Sequence, residues 1–143
     1  MKKSVSKFLA AALLCAPMLG FASDKAEKLF TVVTTDDSLT QFMAMVLSTQ
    51  AKKQGADVEI LFCGKAADLV LKGAKEVVFK PKGMSANKLL GGLIKNGANV
   101  GVCPPYLPNK GKTKADLIEG VKVVNPPKVA ERMLYKNTKI LTY

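Results

Sequence analysis

Chemistry in this chain concentrates on two cysteines, each of which closes a short apolar run. Asp57-Val-Glu-Ile-Leu-Phe ends on Cys63 and Gly64, and Asn99-Val-Gly-Val ends on Cys103, which Pro104-Pro105-Tyr106 follow at once. A cysteine in that position is either one more small buried apolar residue or a thiol presented at the mouth of a site. Cys103 has the better case for the second role. Lys110, Lys112 and Lys114 stand in the loop after it, and cations near a thiol favour the nucleophilic thiolate. Amides at the start of a helix capped by Thr113 would act in the same direction if they pointed at the sulfur. Cys63 has only Lys65 close by in sequence and reads more readily as a buried residue. The chain contains no histidine, which removes histidine triads, imidazole acid–base catalysis and His–metal sites.

Other reactive types carry less. Asp36 and Asp37 precede Ser38 where a helix should begin, and acids gather at helix N-termini because the dipole favours them there. A role in orienting a ligand is the second reading of that pair. Met43 and Met45 with the two cysteines would suit a soft ion such as Cu(I), although two methionines on one helix are ordinary core residues. The glycines, Gly91-Gly92 included, follow no phosphate-loop spacing. No metal and no cofactor is expected.

The elements that must position these residues alternate between β-rich and helical runs, the pattern of a parallel sheet covered on both faces. Strands are expected at 29–35, 57–63, 75–80, 99–103 and 121–124, with 139–143 as a candidate extra edge strand. Ser38 and Gln41 read as a capping box for a helix that buries Phe42, Met43, Val46 and Leu47 and stops at Gly55. Helical turns follow at 66–71. A second helix starts from Ser85, buries Leu89, Leu90, Leu93 and Ile94, and stops at Gly97. Thr113 and Asp116 form another capping box, and Asn125-Pro126-Pro127 can open a last helix. The expected fold is therefore α/β, a three-layer α/β/α domain on a mainly parallel five-stranded sheet.

In such a sheet ligands bind at the carboxyl ends of the strands. Three segments converge there: Thr34-Thr35-Asp36-Asp37, Cys63-Gly64 and Cys103-Pro104-Pro105-Tyr106. A disulfide between Cys63 and Cys103 is not expected. One intervening strand would hold their Cα atoms about 9–10 Å apart, beyond the roughly 7 Å that a bridge tolerates.

Residues 1–22 read as a cleavable export signal rather than part of the fold. Lys2, Lys3 and Lys7 precede the apolar run from Phe8 to Gly20, and Gly20 and Ala22 are small residues where a signal peptidase would cut. The run is too short for a membrane span, which takes about 20 residues, and Leu14 disfavours a lipidated Cys15. The single domain expected is 23–143, in the periplasm. Cleavage removes three lysines and no acid, lowering the formal net charge from +11 to +8. Scattered lysines with Arg132 as the sole arginine argue for a solvated basic surface rather than a nucleic-acid interface.

The order of these landmarks resembles the DsrE/DsrF-like family of sulfur-relay proteins. The residues that carry the likeness are Thr34-Thr-Asp-Asp37 before an amphipathic helix ending at Gly55, Val58-Glu-Ile-Leu-Phe-Cys-Gly64, Leu93-Ile-Lys-Asn-Gly-Ala-Asn-Val-Gly-Val-Cys103, Lys110-Gly111, and Asp116-Leu-Ile-Glu-Gly-Val-Lys-Val-Val124. The resemblance implies a three-layer α/β/α domain that forms homo- or hetero-oligomers. It also implies a persulfide on Cys103 and sulfur passed to a small partner protein. Only Cys103 is carried over from the likeness; Thr35, Asp36, Cys63, Tyr106 and Lys110 are expected as supporting residues from their places at the strand ends and in the loop after Cys103. Two features depart from the pattern: the export signal, since familiar relay members are cytoplasmic, and the stiff Pro104-Pro105. The alternative is a non-catalytic, oligomeric module that binds a small ligand or a soft metal at the same strand-end pocket.

Overall fold

The computed structural model describes residues 28–143; the export-signal reading at 1–22 lies outside them. Its centre is a five-stranded, all-parallel sheet of β1 (Lys28–Val33), β2 (Asp57–Phe62), β5 (Asn99–Val102), β6 (Val121–Val123) and β7 (Thr138–Thr142), in spatial order β6-β5-β2-β1-β7. The C-terminal segment is thus an integral edge strand. The run 75–80 does not join the sheet. Only Val78–Phe79 (β3) is extended, and it pairs antiparallel with Met84–Ser85 (β4) as a separate two-stranded ribbon. Lysines flank the short apolar centre of that run and Pro81 ends it, so it offers little to a strand buried on both faces.

Helices cover both faces. On one side α1 (Ser38–Lys53) and α2 (Ala86–Lys95) pack on Val33, Val58, Ile60, Phe62, Val100 and Val102. On the other α4 (Pro126–Met133) sets Val129 against Phe30 and Leu61. The near-continuous apolar sequence of β2 follows from burial on both faces. No helix among the described residues is long and apolar enough to cross a membrane.

The face that α1 buries differs from the expected one. Gln41, Ala44, Met45 and Ser48 face the sheet, whereas Met43 and Leu47 are more than 40 % exposed. Small Ala44 and Ser48 let the helix sit close. The Ser48 hydroxyl is satisfied by a 3.1 Å hydrogen bond with Thr31 Oγ1 of β1, so a polar residue on the buried stripe carries no unpaired group. The cap differs too. Asp37 rather than Ser38 accepts from the Thr40 amide, at 2.7 Å, while Gln41 Nε2 donates to the Thr35 carbonyl. Hydrogen bonds from the Thr40 side chain first, and from its amide second, hold the Asp37 carboxyl below its ordinary value. The other caps form as expected, with Ser85 accepting from Lys88 N, Asn125 from Lys128 N, and Thr113 and Asp116 closing a box.

Arg132 of α4 donates two hydrogen bonds to Glu59 Oε1 of β2, at 2.6 and 3.0 Å. That partly buried pair fixes the register of the helix over the sheet.

Gly101 of β5 points at the edge strand. An added Cβ would overlap Val124 Cγ1. Gly101→Ala is therefore expected to cost about 1–3 kcal/mol through overpacking, read as a lowered urea midpoint with an unchanged slope.

Candidate functional site: a cysteine pair at the carboxyl edge of the sheet

All five strands run in the same direction, so their carboxyl ends share one edge. The ladder hydrogen bonds continue one residue beyond β2 and β5. The Cys63 amide donates to the Val33 carbonyl and the Cys103 amide to the Phe62 carbonyl, each at 3.0 Å. Both cysteines are thus pinned by their backbones at the rim. Because side chains alternate along a strand, both share a face with Leu61, and they pack against the Phe30–Leu61–Val129 cluster.

β2 and β5 are direct neighbours, and this overturns the expectation of separated cysteines. With no strand between them, the Cα atoms stand 5.3 Å apart and the sulfurs are joined in a disulfide. The spacing suits a bridge between adjacent strands.

The disulfide lies in an open cavity of about 440 Å³, in the range of small-ligand sites. Gly64 and Lys65 follow Cys63 along one side, and Pro105 and Tyr106 flank Cys103. Asn109 and Lys110 complete the lining. Gly64 adopts φ +57°, a left-handed conformation that glycine favours and that turns the chain sharply after Cys63.

The prolines do not carry the chain away. Pro105 precedes a single helical turn, α3 (Tyr106–Asn109), which the Tyr106 amide ties to the Cys103 carbonyl at 3.1 Å. That turn brings Tyr106 and Lys110 back onto the site. The Tyr106 hydroxyl donates to Asp68 Oδ1, and Lys110 Nζ lies 2.9 Å from the same carboxylate. Asp68 belongs to the 3-10 segment Gly64–Val70. The Tyr106 hydrogen bond, then Lys110, hold the Asp68 carboxyl below its ordinary value. Burial first, and Asp68 second, push the Tyr106 phenol far above its own. Tyr106 is therefore a fixed hydrogen-bond donor and not a base, and Asp68 is the anion that holds Lys110 in place.

The sign of the pH dependence follows from the lowered Asp68 value. Its contribution is fully present above the unfolded value of 3.8 and is lost as pH falls through the lower folded one. The Asp68–Lys110 contact is thus expected to survive throughout the neutral range. Asp68→Asn should leave stability unchanged in slope with pH except in that acidic window, checked by thermal melts from about pH 2 to pH 7.

Of the expected residues, Cys103, Cys63, Tyr106 and Lys110 meet in one cavity. Asp36 reaches it only through Lys65, at 3.4 Å between two largely exposed groups, a weak pair. Thr35 stays outside; its hydroxyl accepts from the Asp37 amide and its carbonyl from Gln41. Of the three lysines in the loop, Lys110 alone lines the cavity. Lys112 lies 3.8 Å from Asp116, and the Thr113 amide is taken by Asp116 Oδ2 at 2.8 Å, so it does not point at sulfur. Met45 is buried in the α1-side core, across the sheet from the cysteine pair, so the methionine–cysteine set for a soft metal is not assembled. Sequence reasoning misses Asp68, because nothing local ties it to residues 38 and 42 positions away.

Comparison with known proteins agrees on the architecture. A model of the DsrE/DsrF-like family matches residues 27–142. The crystal structure of the ychN protein from E. coli superposes with a TM-score of 0.67 at 21 % identity, over 82 % of this chain and 99 % of that one. A protein of unknown function from Bacteroides thetaiotaomicron, BT1422, gives 0.61 at 20 % identity, over 83 % and 97 %. MTH1491 from Methanobacterium thermoautotrophicum, also of unknown function, gives 0.57 at 14 %, over 80 % and 96 %. These structures establish a shared fold. No curated protein matches the chain.

Proposed function

We propose that this chain, which belongs to the DsrE/DsrF-like family, handles sulfur through Cys103 as a thiolate that accepts a sulfane sulfur and passes it to a partner thiol. One observation supports the reading above the rest: Cys103 stands at the carboxyl edge of a parallel sheet, half-buried in an open cavity whose charged lining groups are Lys65 and Lys110. In the reduced protein those ammonium groups attract an anionic sulfur donor and favour negative charge on the attacking and product sulfurs. The Cys103 sulfur attacks the terminal sulfur of a polysulfide, and the shortened polysulfide leaves with the bonding electrons. An acceptor thiolate then takes the outer sulfur and returns Cys103 as a thiolate. With no histidine in the chain, this chemistry rests on charge and position rather than on a neighbouring base.

The setting we propose is the periplasm, supported by the basic start and apolar run of residues 1–22. Self-association is part of the reading. Leu39, Met43 and Leu47 expose apolar side chains at four-residue spacing along α1, a stripe suited to a second copy of the chain.

Alkylation of the fully reduced chain near neutral pH tests the reading. Cys103 is expected to react several-fold faster than a free thiol peptide, and Lys110→Met to slow it by about two- to ten-fold. Equal rates for Cys103 and the peptide would favour the non-catalytic ligand-binding alternative.

A further inference from the structure

We infer that Cys63 is the resolving partner of Cys103, and that hydrosulfide is the small substrate of the oxidised pair. The inference rests on the assignment of Cys103 as the sulfur carrier. It goes beyond that assignment because a carrier needs one cysteine and this cavity holds two, already bonded to each other.

The atoms and electrons balance without any further reagent. Hydrosulfide enters the cavity and its sulfur bonds to Cys103 Sγ. The Cys63–Cys103 bond breaks, its electron pair leaves on Cys63 Sγ, and that thiolate takes a proton from water. The protein disulfide is reduced by two electrons while the incoming sulfur is oxidised to the sulfane level as a Cys103 persulfide. The reverse step is equally balanced. The Cys63 thiolate attacks Cys103 Sγ, hydrosulfide leaves, and the disulfide returns. When the dithiol is loaded from polysulfide, the polysulfide is the oxidant, and resolution by Cys63 releases one hydrosulfide per chain.

Three features favour this exchange. The two backbones are held at the rim of adjacent strands by ladder bonds, so Cys63 meets the persulfide as an intramolecular nucleophile with a high effective concentration. Neither cysteine is fully buried, and both line the open cavity. Lys65 and Lys110 both line the cavity and attract a small anion into it, and the Lys110 ammonium is held by Asp68, itself fixed by Tyr106. Thiol–disulfide exchange depends on such access and on stabilisation of the leaving thiolate.

The test uses the full chain in two arms, under anaerobic conditions. In the first, oxidised wild type is mixed with sodium sulfide and its intact mass and alkylatable thiols are read. The expected result is a mass gain of one hydrogen sulfide per chain, with the added sulfur mapped to Cys103 and Cys63 newly alkylatable. In the second, reduced wild type, Cys63→Ser and Cys63→Ala are each mixed with polysulfide. Wild type should return to the disulfide and release hydrosulfide, whereas the variants should retain the persulfide about ten-fold longer or more. An oxidised wild type unchanged by sulfide, with variants that load from polysulfide and lose the persulfide as fast as wild type, overturns the resolving role and leaves Cys103 as a carrier. Mapping of the added sulfur to Cys63 also overturns it. Failure of every form to load in both arms removes the carrier reading as well. The first arm needs no variant, so a misfolded Cys63→Ser chain would not obscure the result.

Discussion

Cys103→Ser is expected to abolish reducible sulfur loading from polysulfide, lowering it at least about ten-fold, with the far-ultraviolet circular dichroism unchanged. The size of the effect follows from chemistry: a serine hydroxyl cannot form a perthiol, and no imidazole is present to activate it. The preserved fold follows from position. The Cys103 backbone keeps its ladder bond to the Phe62 carbonyl whatever the side chain, and the half-buried sulfur leaves room for an oxygen. Cys63 remains in the variant, but as the resolving rather than the loading thiol. Residual loading should therefore be small and should disappear in Cys63→Ser/Cys103→Ser. Loading of Cys103→Ser equal to wild type would assign the carrier role to Cys63.

Reduction of the disulfide should produce the second large effect. The bridge closes a loop of sequence separation 40, and the chain-entropy argument gives it about 4 kcal/mol of stabilisation at 25 °C. Breaking it should lower the urea midpoint by roughly 2 M for a domain of this size. The sheet itself should survive, because Val33, Ile60, Phe62 and Val102 are fully buried without help from the sulfurs. A reduced protein that still unfolds cooperatively, at a lower midpoint, fits a pair that opens and closes during function. An unchanged midpoint would mean that the reduced, unfolded chain retains most of the constraint.

Much of this site can be read from residue order. Two apolar runs ending on cysteine, in an alternating β/α chain, place both thiols at the ligand-binding edge. Their adjacency was not legible, because strand order depends on which runs enter the sheet, and that is a contest between distant segments. Residues 75–80 have enough β-branched and aromatic character to pass for a strand, yet their flanking lysines and Pro81 suit an exposed ribbon. With that run excluded, β5 sits directly beside β2 and the cysteines meet.

The inward face of α1 was hidden for a similar reason. Apolar side chains at Met43 and Leu47 suggest burial, but the Thr31–Ser48 hydrogen bond makes a polar residue welcome inside and leaves the larger apolar groups outside. Asp68 is invisible locally, since its partners come from a turn created by prolines that, on sequence alone, point the chain outward. Helix caps and turns at Ser85, Thr113 and Asn125 were legible because each depends on residues within three or four positions.

The measurement that bears most directly on Cys103 as a sulfur carrier is the intact mass of reduced Cys63→Ser after incubation with polysulfide, before and after a thiol reductant. The expected result is a gain of one sulfur per chain, located on Cys103 by fragmentation and removed by the reductant. An unmodified mass, with Cys103 still fully alkylatable, would contradict the account.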